Sequence, residues 1–257
     1  MNIRLDKLLA DSGFGTRSDV KQLVRSGSVS VNGAICKDSG LKIDTDKDNV
    51  EVRGKQVDFS EFEYYMLYKP AGIITASRDK KEKTVLDLIE SKKRRDLFPV
   101  GRLDRDTEGL LLITNDGELS HKLLSPGKHV DKKYIVFITG NPPEDIAEQF
   151  KNGVDIGDEK PTKPAILKTY NNIDSLKNTY GETILSDYAL ECIQNAESDI
   201  SIYDITITEG RYHEIKRMFE AVDCKVIYLM RYSMGNLTLD PTLNPGNYTK
   251  IHRDFIN

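Results

Sequence analysis

Near the start of the chain, apolar residues recur with helical spacing. Leu5, Leu8 and Leu9 fall at i, i+3 and i+4, which predicts a helix that Gly13 stops. Thr16 is a good N-cap with Asp19 in the turn that follows, and Val20, Leu23 and Val24 give the next helix its apolar stripe before Gly27 ends it. The alternation Ser28-Val29-Ser30-Val31 then reads as a strand, and Asn32-Gly33 is a strong hairpin signal. From Gly54 to Glu63 the chain is polar with few apolar anchors, which predicts a linker, set at 59–63, between a unit at 1–58 and a second at 64–257.

Beyond it the pattern favours strands. Tyr64 to Tyr68 is strand-like and runs into the turn Lys69-Pro70-Ala71-Gly72. Thr84-Val85-Leu86-Asp87 reads as a capping box that opens a helix through about Lys93. Gly109 to Thr114 is a buried strand, Asp116 caps a helix through Leu124, and Tyr134–Thr139 and Tyr203–Thr208 are further strands. A helix follows His213, with Ile215, Met218, Phe219 and Val222 as its core stripe. Strands interrupted by helices without strict alternation predict an α+β chain: a small helix-helix-hairpin domain, then a larger domain on a mixed or antiparallel sheet.

Composition narrows the classes. Hydrophobic residues make up 38% of the 257 positions, enough for a packed core, and no apolar run is long enough to span a bilayer. Asp6 stands where the apolar centre of an export signal would lie, so a cytoplasmic, membrane-free protein is expected. Three scattered cysteines fit a reducing compartment and, with four unpaired histidines, argue against disulfides and metal. The net charge of −4 hides a segregation. Residues 69–105 carry 11 Lys/Arg against 6 Asp/Glu, and residues 142–200 carry 5 Lys against 12 Asp/Glu. A basic face inside an acidic total suits nucleic acid, and so does the predicted second helix, where Arg17, Lys21 and Arg25 recur every four residues on one face.

The candidate chemistry lies at Phe98-Pro99-Val100-Gly101-Arg102-Leu103-Asp104-Arg105-Asp106-Thr107-Glu108-Gly109. Asp104, Asp106 and Glu108 invite a metal reading, but a calcium loop's glycine and distal glutamate are missing and two arginines interleave. Asp104 between Arg102 and Arg105 is expected to stay ionised, and an ionised carboxylate on a rigid edge can act as a nucleophile. There is no phosphate-binding glycine loop, dinucleotide fingerprint or serine elbow.

Two resemblances join these observations. The run Arg4-Leu5-Asp6-Lys7-Leu8-Leu9, Thr16-Arg17 and Gly27 through Gly33 resembles the S-four-type RNA-binding domain, which implies phosphate contacts from Arg4, Arg17, Lys21 and Arg25. The Arg102-Leu103-Asp104 run, with Lys69-Pro70-Ala71-Gly72, Lys132-Lys133-Tyr134 and Glu209-Gly210-Arg211-Tyr212-His213-Glu214-Ile215-Lys216-Arg217-Met218-Phe219, resembles the pseudouridine synthases, in the RsuA branch of the RsuA/RluB family.

That resemblance implies isomerisation of a uridine in ribosomal RNA, most directly 16S RNA of a partly assembled small subunit, by a monomer without cofactor. A 23S substrate and a non-catalytic assembly factor are the rival readings. Asp104 would be the nucleophile, at the base or at the sugar. Tyr134 would stack on the base and is the candidate acceptor of the C5 proton, and Lys216 would be the cation that partners Asp104. Arg102 would fill the gap left by the extruded nucleotide, with Arg105, Arg211 and Arg217 as further RNA contacts. Taken singly, Tyr134 reads as core and Lys216 as a solvated lysine; their joint occurrence carries the reading. Two positions depart from the family pattern: Tyr68 before Lys69-Pro70, and Glu214, an acid expected to compete with Asp104 for Lys216.

Overall fold

A computed structural model describes residues 2–57, 59, 62–90 and 96–256. The chain forms two compact units, residues 1–63 with 90–97, and residues 64–89 with 98–257.

In the first unit, β1 (Asn2–Arg4) leads into α1 (Leu5–Asp11) and α2 (Arg17–Arg25), followed by β2 (Val29–Val31), β3 (Ala34–Ile35), β4 (Lys42–Asp44), β5 (Val50–Val52) and β6 (Lys55–Gln56). Thr16 and Asp19 close a reciprocal capping box at the start of α2, satisfying two backbone donors that the helix cannot. Asn32 and Gly33 both take positive φ, 51° and 80°, as the two-residue turn between β2 and β3 requires. Leu5, Leu8, Leu9, Val20, Val24, Val29 and Ile43 form the core. The polar stretch from Gly54 is not a linker at its outset. Arg53 and Gly54 turn the β5–β6 hairpin, and Val57 and Phe59 pack against this core. Of the predicted linker 59–63, residues 60 and 61 lie outside the described residues.

The second unit contains β7 (Tyr64–Lys69), β8 (Phe98–Pro99), β9 (Glu108–Thr114), α3 (Gly117–Leu124), β10 (Lys132–Thr139), α4 (Ile146–Asn152), β11 (Ile166–Tyr170), α5 (Ile173–Tyr180), α6 (Asp187–Gln194), β12 (Ile200–Ile207), α7 (Glu214–Glu220), β13 (Lys225–Met234), β14 (Leu237–Thr238) and β15 (Tyr248–Lys250). Its main sheet runs β11-β12-β10-β13-β9-β7-β15, with β14 beside β13 and β8 beside β9. Among the described strands, β9 with β13 is the only parallel pair, so the sheet is mixed, as the unalternating pattern predicts. Leu110–Ile113 and Ile135–Ile138 are wholly buried, which explains why both strands read as continuous apolar runs. Among the described residues, no helix is long and apolar enough to cross a membrane.

One predicted helix contracts. Thr84 and Asp87 do form a capping box, but it opens a single 3-10 turn, Val85–Leu88, after which Ile89 is extended. Lys93, the predicted end, lies outside the described residues, as do Lys92, Arg94 and Arg95 of the basic stretch.

The parallel contact depends on a glycine. Gly109 holds φ +106° opposite Arg231, and a Cβ there would run into the Arg231 backbone. Gly109→Ala is therefore expected to destabilise the protein by about 2–4 kcal/mol, read as a lowered denaturant midpoint. An unchanged midpoint would mean that the β9–β13 contact has room to open.

Candidate active site

The loop that carries Asp104 joins β8 to β9, and short-range bonding alone does not fix it. Thr107 N–H donates to the Asp104 carbonyl at 3.2 Å, closing a turn. Leu103 N–H donates to Thr75 Oγ1 at 3.1 Å, and the same hydroxyl donates to the Leu103 carbonyl at 2.7 Å. Beneath the loop, the fully buried Lys69 ammonium at the end of β7 donates to the carbonyls of Pro70, Arg105 and Thr107 at 2.9, 3.2 and 2.8 Å. Burial lowers the Lys69 pKa to about 8, with the charges of Glu108, Asp106 and Asp104 opposing that shift. Glu108 then anchors the start of β9, accepting from Ala71 N–H at 3.3 Å, Tyr228 O–H at 3.0 Å and Ser186 O–H. The motif Lys69-Pro70-Ala71-Gly72 is thus a cradle for the Asp104 loop.

Asp104, Tyr134 and Lys216 line one cleft, together with Thr107, His213 and Glu214. Lys216 Nζ lies 3.4 Å from Asp104 Oδ2, the pairing the family resemblance implies, but closer still, 2.6 Å, to Asp106 Oδ1. Burial disfavours the Asp106 carboxylate, yet the hydrogen bond and charge of Lys216 outweigh it and hold that pKa below the ordinary range. The competitor for Lys216 is therefore Asp106 and not Glu214. Glu214 faces away, its Oε2 accepting from Arg211 N–H at 2.8 Å. Burial, with the adjacent Glu209 carboxylate, raises the Glu214 pKa to about 7.

The side chains that face Asp104 also differ from expectation. Arg105 turns outward, donating to the Gly72 carbonyl at 3.1 Å and pairing with Glu82 at 3.2 Å. Asp104 is instead flanked by Lys216 and by His213, whose Nε2 is 3.5 Å from Oδ1. Arg102 is exposed at the rim of the cleft. Arg211 and Arg217 are engaged internally. Both pair with Asp158, and Arg211 also donates to the carbonyls of Lys160 and Pro161. Part of the acidic stretch 142–200 thus serves as their counter-charge. Arg17, Lys21 and Arg25 are exposed on α2, whereas Arg4 pairs with Asp6 at 2.9 Å.

Two residues that pattern reading missed stand around Tyr134. Its ring is buried on β10, and register places Arg231 of β13 opposite it. Arg231 is 1% exposed; its Nε donates to the Leu110 carbonyl at 2.8 Å, while its buried Nη2 has no hydrogen-bond partner. Burial raises the Tyr134 pKa, and Arg231 opposes that rise. A short polar interruption in an apolar strand is the only sequence signal for Arg231. His213 is the second, at φ 49° immediately before α7, a conformation no local motif announces. Among the described residues no group of three or more His, Cys, Asp or Glu could hold a metal ion. The arrangement offers a carboxylate against an ammonium and a shielded phenol beside a guanidinium, in a cleft open on one side. It can attack an electron-poor carbon and accept a proton.

Comparison with known proteins identifies the family of the chain. Residues 63–221 match the family described as RNA pseudouridylate synthase, and residues 3–49 match the S4 domain. The chain is 43% identical over 99% of its length, and 97% of the relative's, to the "Uncharacterized RNA pseudouridine synthase YtzG" of Bacillus subtilis. It is 37% identical to the "Ribosomal large subunit pseudouridine synthase B" of the same organism, covering 92% of this chain and 87% of that one. It is 36% identical to the "Ribosomal small subunit pseudouridine synthase A" of Vibrio cholerae, covering 99% and 98%. A solved structure titled "Crystal structure of pseudouridylate synthase" superposes with a TM-score of 0.61 at 32% identity, covering 99% of this chain and 98% of the other.

The Glu209–Glu214 pair gives a signed pH dependence. Glu214 ordinarily titrates near 4.5 and here near 7, so the folded state holds a proton that the unfolded chain releases. Its contribution to stability is full below about 4.5 and is lost as pH rises through about 7. Glu214→Gln should flatten the decline of the unfolding midpoint across that window, measured by denaturant titrations at several pH values. An identical decline in both proteins would assign it to other groups.

Proposed function

The chain belongs to the RNA pseudouridylate synthase family, and from that premise we propose that it converts a uridine of small-subunit (16S) ribosomal RNA to pseudouridine, with Asp104 as the nucleophile. In the reaction the N1–C1′ bond of the nucleotide breaks, a C5–C1′ bond forms, the C5 proton leaves and N1 takes up a proton. No electron is gained or lost. The observation that carries the reading is Asp104, 3.4 Å from the Lys216 ammonium, in the same cleft as the buried Tyr134.

Each group has a physical reason for its role. The Asp104 carboxylate bonds covalently to the target nucleotide while the uracil turns over. Lys216 orients that carboxylate and compensates its charge before the attack. Tyr134 lies against the base, and its phenol, with the Arg231 charge opposing the effect of burial on it, is the group suited to receive the C5 proton. A uridine inside a paired stem cannot reach Asp104, so the nucleotide is drawn out of its stack, at a cost of a few kcal/mol. Arg102 at the rim is the side chain suited to occupy the gap. The exposed cations Arg17, Lys21 and Arg25 supply sequence-independent phosphate contacts from the S4 domain.

For the small subunit, the support is the end-to-end match to relatives named as small-subunit enzymes, joined to the Arg211-Tyr212-His213 to Phe219 wording of the last motif. A comparable identity to a large-subunit enzyme makes 23S RNA the second reading. A non-catalytic assembly factor is disfavoured by the intact grouping of Asp104, Tyr134 and Lys216.

Asp104→Asn and Asp104→Ala should bind ribosomal RNA yet release no tritium from RNA labelled at uridine C5. Release at the wild-type rate would remove Asp104 from its role. Mapping pseudouridines in both ribosomal RNAs from cells with and without the gene tests the substrate. A site lost only from 23S RNA would overturn the 16S assignment and leave the chemistry intact. Arg17→Ala with Lys21→Ala should weaken RNA binding and lower the slope of log affinity against log salt by about 2; an unchanged slope would make α2 a merely solvated face.

A further inference from the structure

The outer wall of the cleft ends in an aromatic pair for which the chemistry above has no use. Tyr212 is 72% exposed, more than any other large apolar side chain among the described residues. Its ring lies flat on the His213 imidazole, with centroids 3.9 Å apart and planes inclined by 15°. His213 stands between that ring and Asp104, its Nε2 3.5 Å from the carboxylate.

The segment is held firmly while the ring stays exposed. The Tyr212 carbonyl accepts from Arg217 at 3.1 Å, and the Arg211 guanidinium is fixed by the Lys160 and Pro161 carbonyls. A buried aromatic contributes by leaving water, but this one does not leave it. What the arrangement provides is a flat π-surface in a fixed orientation, backed on one face by imidazole. Nearby, at the rim of the same cleft, is the exposed Arg102.

We propose that Tyr212, backed by His213, is a stacking platform for the RNA base adjacent to the target uridine. This inference rests on the function proposed above. Extruding one nucleotide strips its neighbours of a stacking partner, and an aromatic plane restores that contact with any base. The reacting uracil itself is excluded as the occupant, because it must lie inside the cleft against Asp104 and the buried Tyr134. Stacking of a neighbour holds equally before and during the chemical step, so the platform acts on KM more than on kcat.

The protein contains no tryptophan, so Tyr212→Trp creates a single fluorescent ring at the platform. Titrated with transcripts of 16S and 23S ribosomal RNA, its emission should be quenched. Emission from Phe255→Trp, at another exposed position, should not be quenched. In tritium-release kinetics, Tyr212→Ala should raise KM by roughly tenfold with a smaller change in kcat, and Tyr212→Phe should restore KM to within about twofold of wild type. Unquenched Tyr212→Trp emission during active turnover overturns the platform. So does a Tyr212→Ala defect confined to kcat, which would make the ring a prop for His213. If wild-type protein releases no tritium from either transcript, the proposed substrate fails instead, and the platform is read with whichever transcript the wild-type protein binds: quenching of Tyr212→Trp but not Phe255→Trp supports it, and unquenched emission on bound RNA overturns it.

Discussion

The second unit is organised around an ammonium group that water does not reach. Lys69 sits at the end of β7 with three carbonyls around its nitrogen, two of them from the loop that presents Asp104. Burying an unpaired cation costs several kcal/mol, so the loop cannot move off Lys69 without exposing that charge to an apolar surround. The lysine therefore converts a penalty for disorder into rigidity at the Asp104 loop. Thr75 and Glu108 complete the restraint from the other sides. Because β7 and β9 lie side by side in the sheet, the cradle and the loop it holds are parts of one rigid element.

Above that frame, charge is arranged as a compromise. Lys216 serves two carboxylates and sits nearer to Asp106 than to Asp104. Asp104 thus has a cation within reach without being locked to it, while Asp106 keeps the ammonium in place. On the far side of the cleft the pairing is reversed: a buried phenol meets a buried guanidinium, and Arg231 is itself tethered to the backbone of β9. The Asp104 loop, which runs into β9, and Arg231, the strand neighbour of Tyr134, are consequently referred to the same strand.

Much of this organisation was legible where the cause is local. Caps at Thr16 and Asp116, the Asn32-Gly33 turn and the continuous apolar run of β9 are decided within a few residues, and pattern alone finds them. The capping box at Thr84 is local and legible, but the helix it announces stops after one turn because Ile89 is extended. The helices α4, α5 and α6 escaped notice since each is short and buries few residues in a polar stretch. Motif resemblance assembled Asp104, Tyr134 and Lys216. It could not tell that Asp106 would take the nearer share of Lys216, or that Asp158 would claim Arg211 and Arg217. Those partners lie more than fifty residues apart, and their choice is made by packing that no window along the chain contains.

The placement of β15 has a consequence for how the molecule is made. It covers the outer edge of β7, yet it lies at Tyr248–Lys250, behind every other described strand. At about 5–20 residues per second, roughly ten to forty seconds separate Lys69 leaving the translation machinery from Lys250 doing so. For that interval a nascent chain carries Asp104 without Lys216 for much of the time, and a β7 edge with no neighbour, a template for unwanted pairing. A premature stop codon anywhere ahead of β15 would thus release a fragment lacking its sheet closure and prone to aggregate, even where Asp104, Tyr134 and Lys216 had already been added.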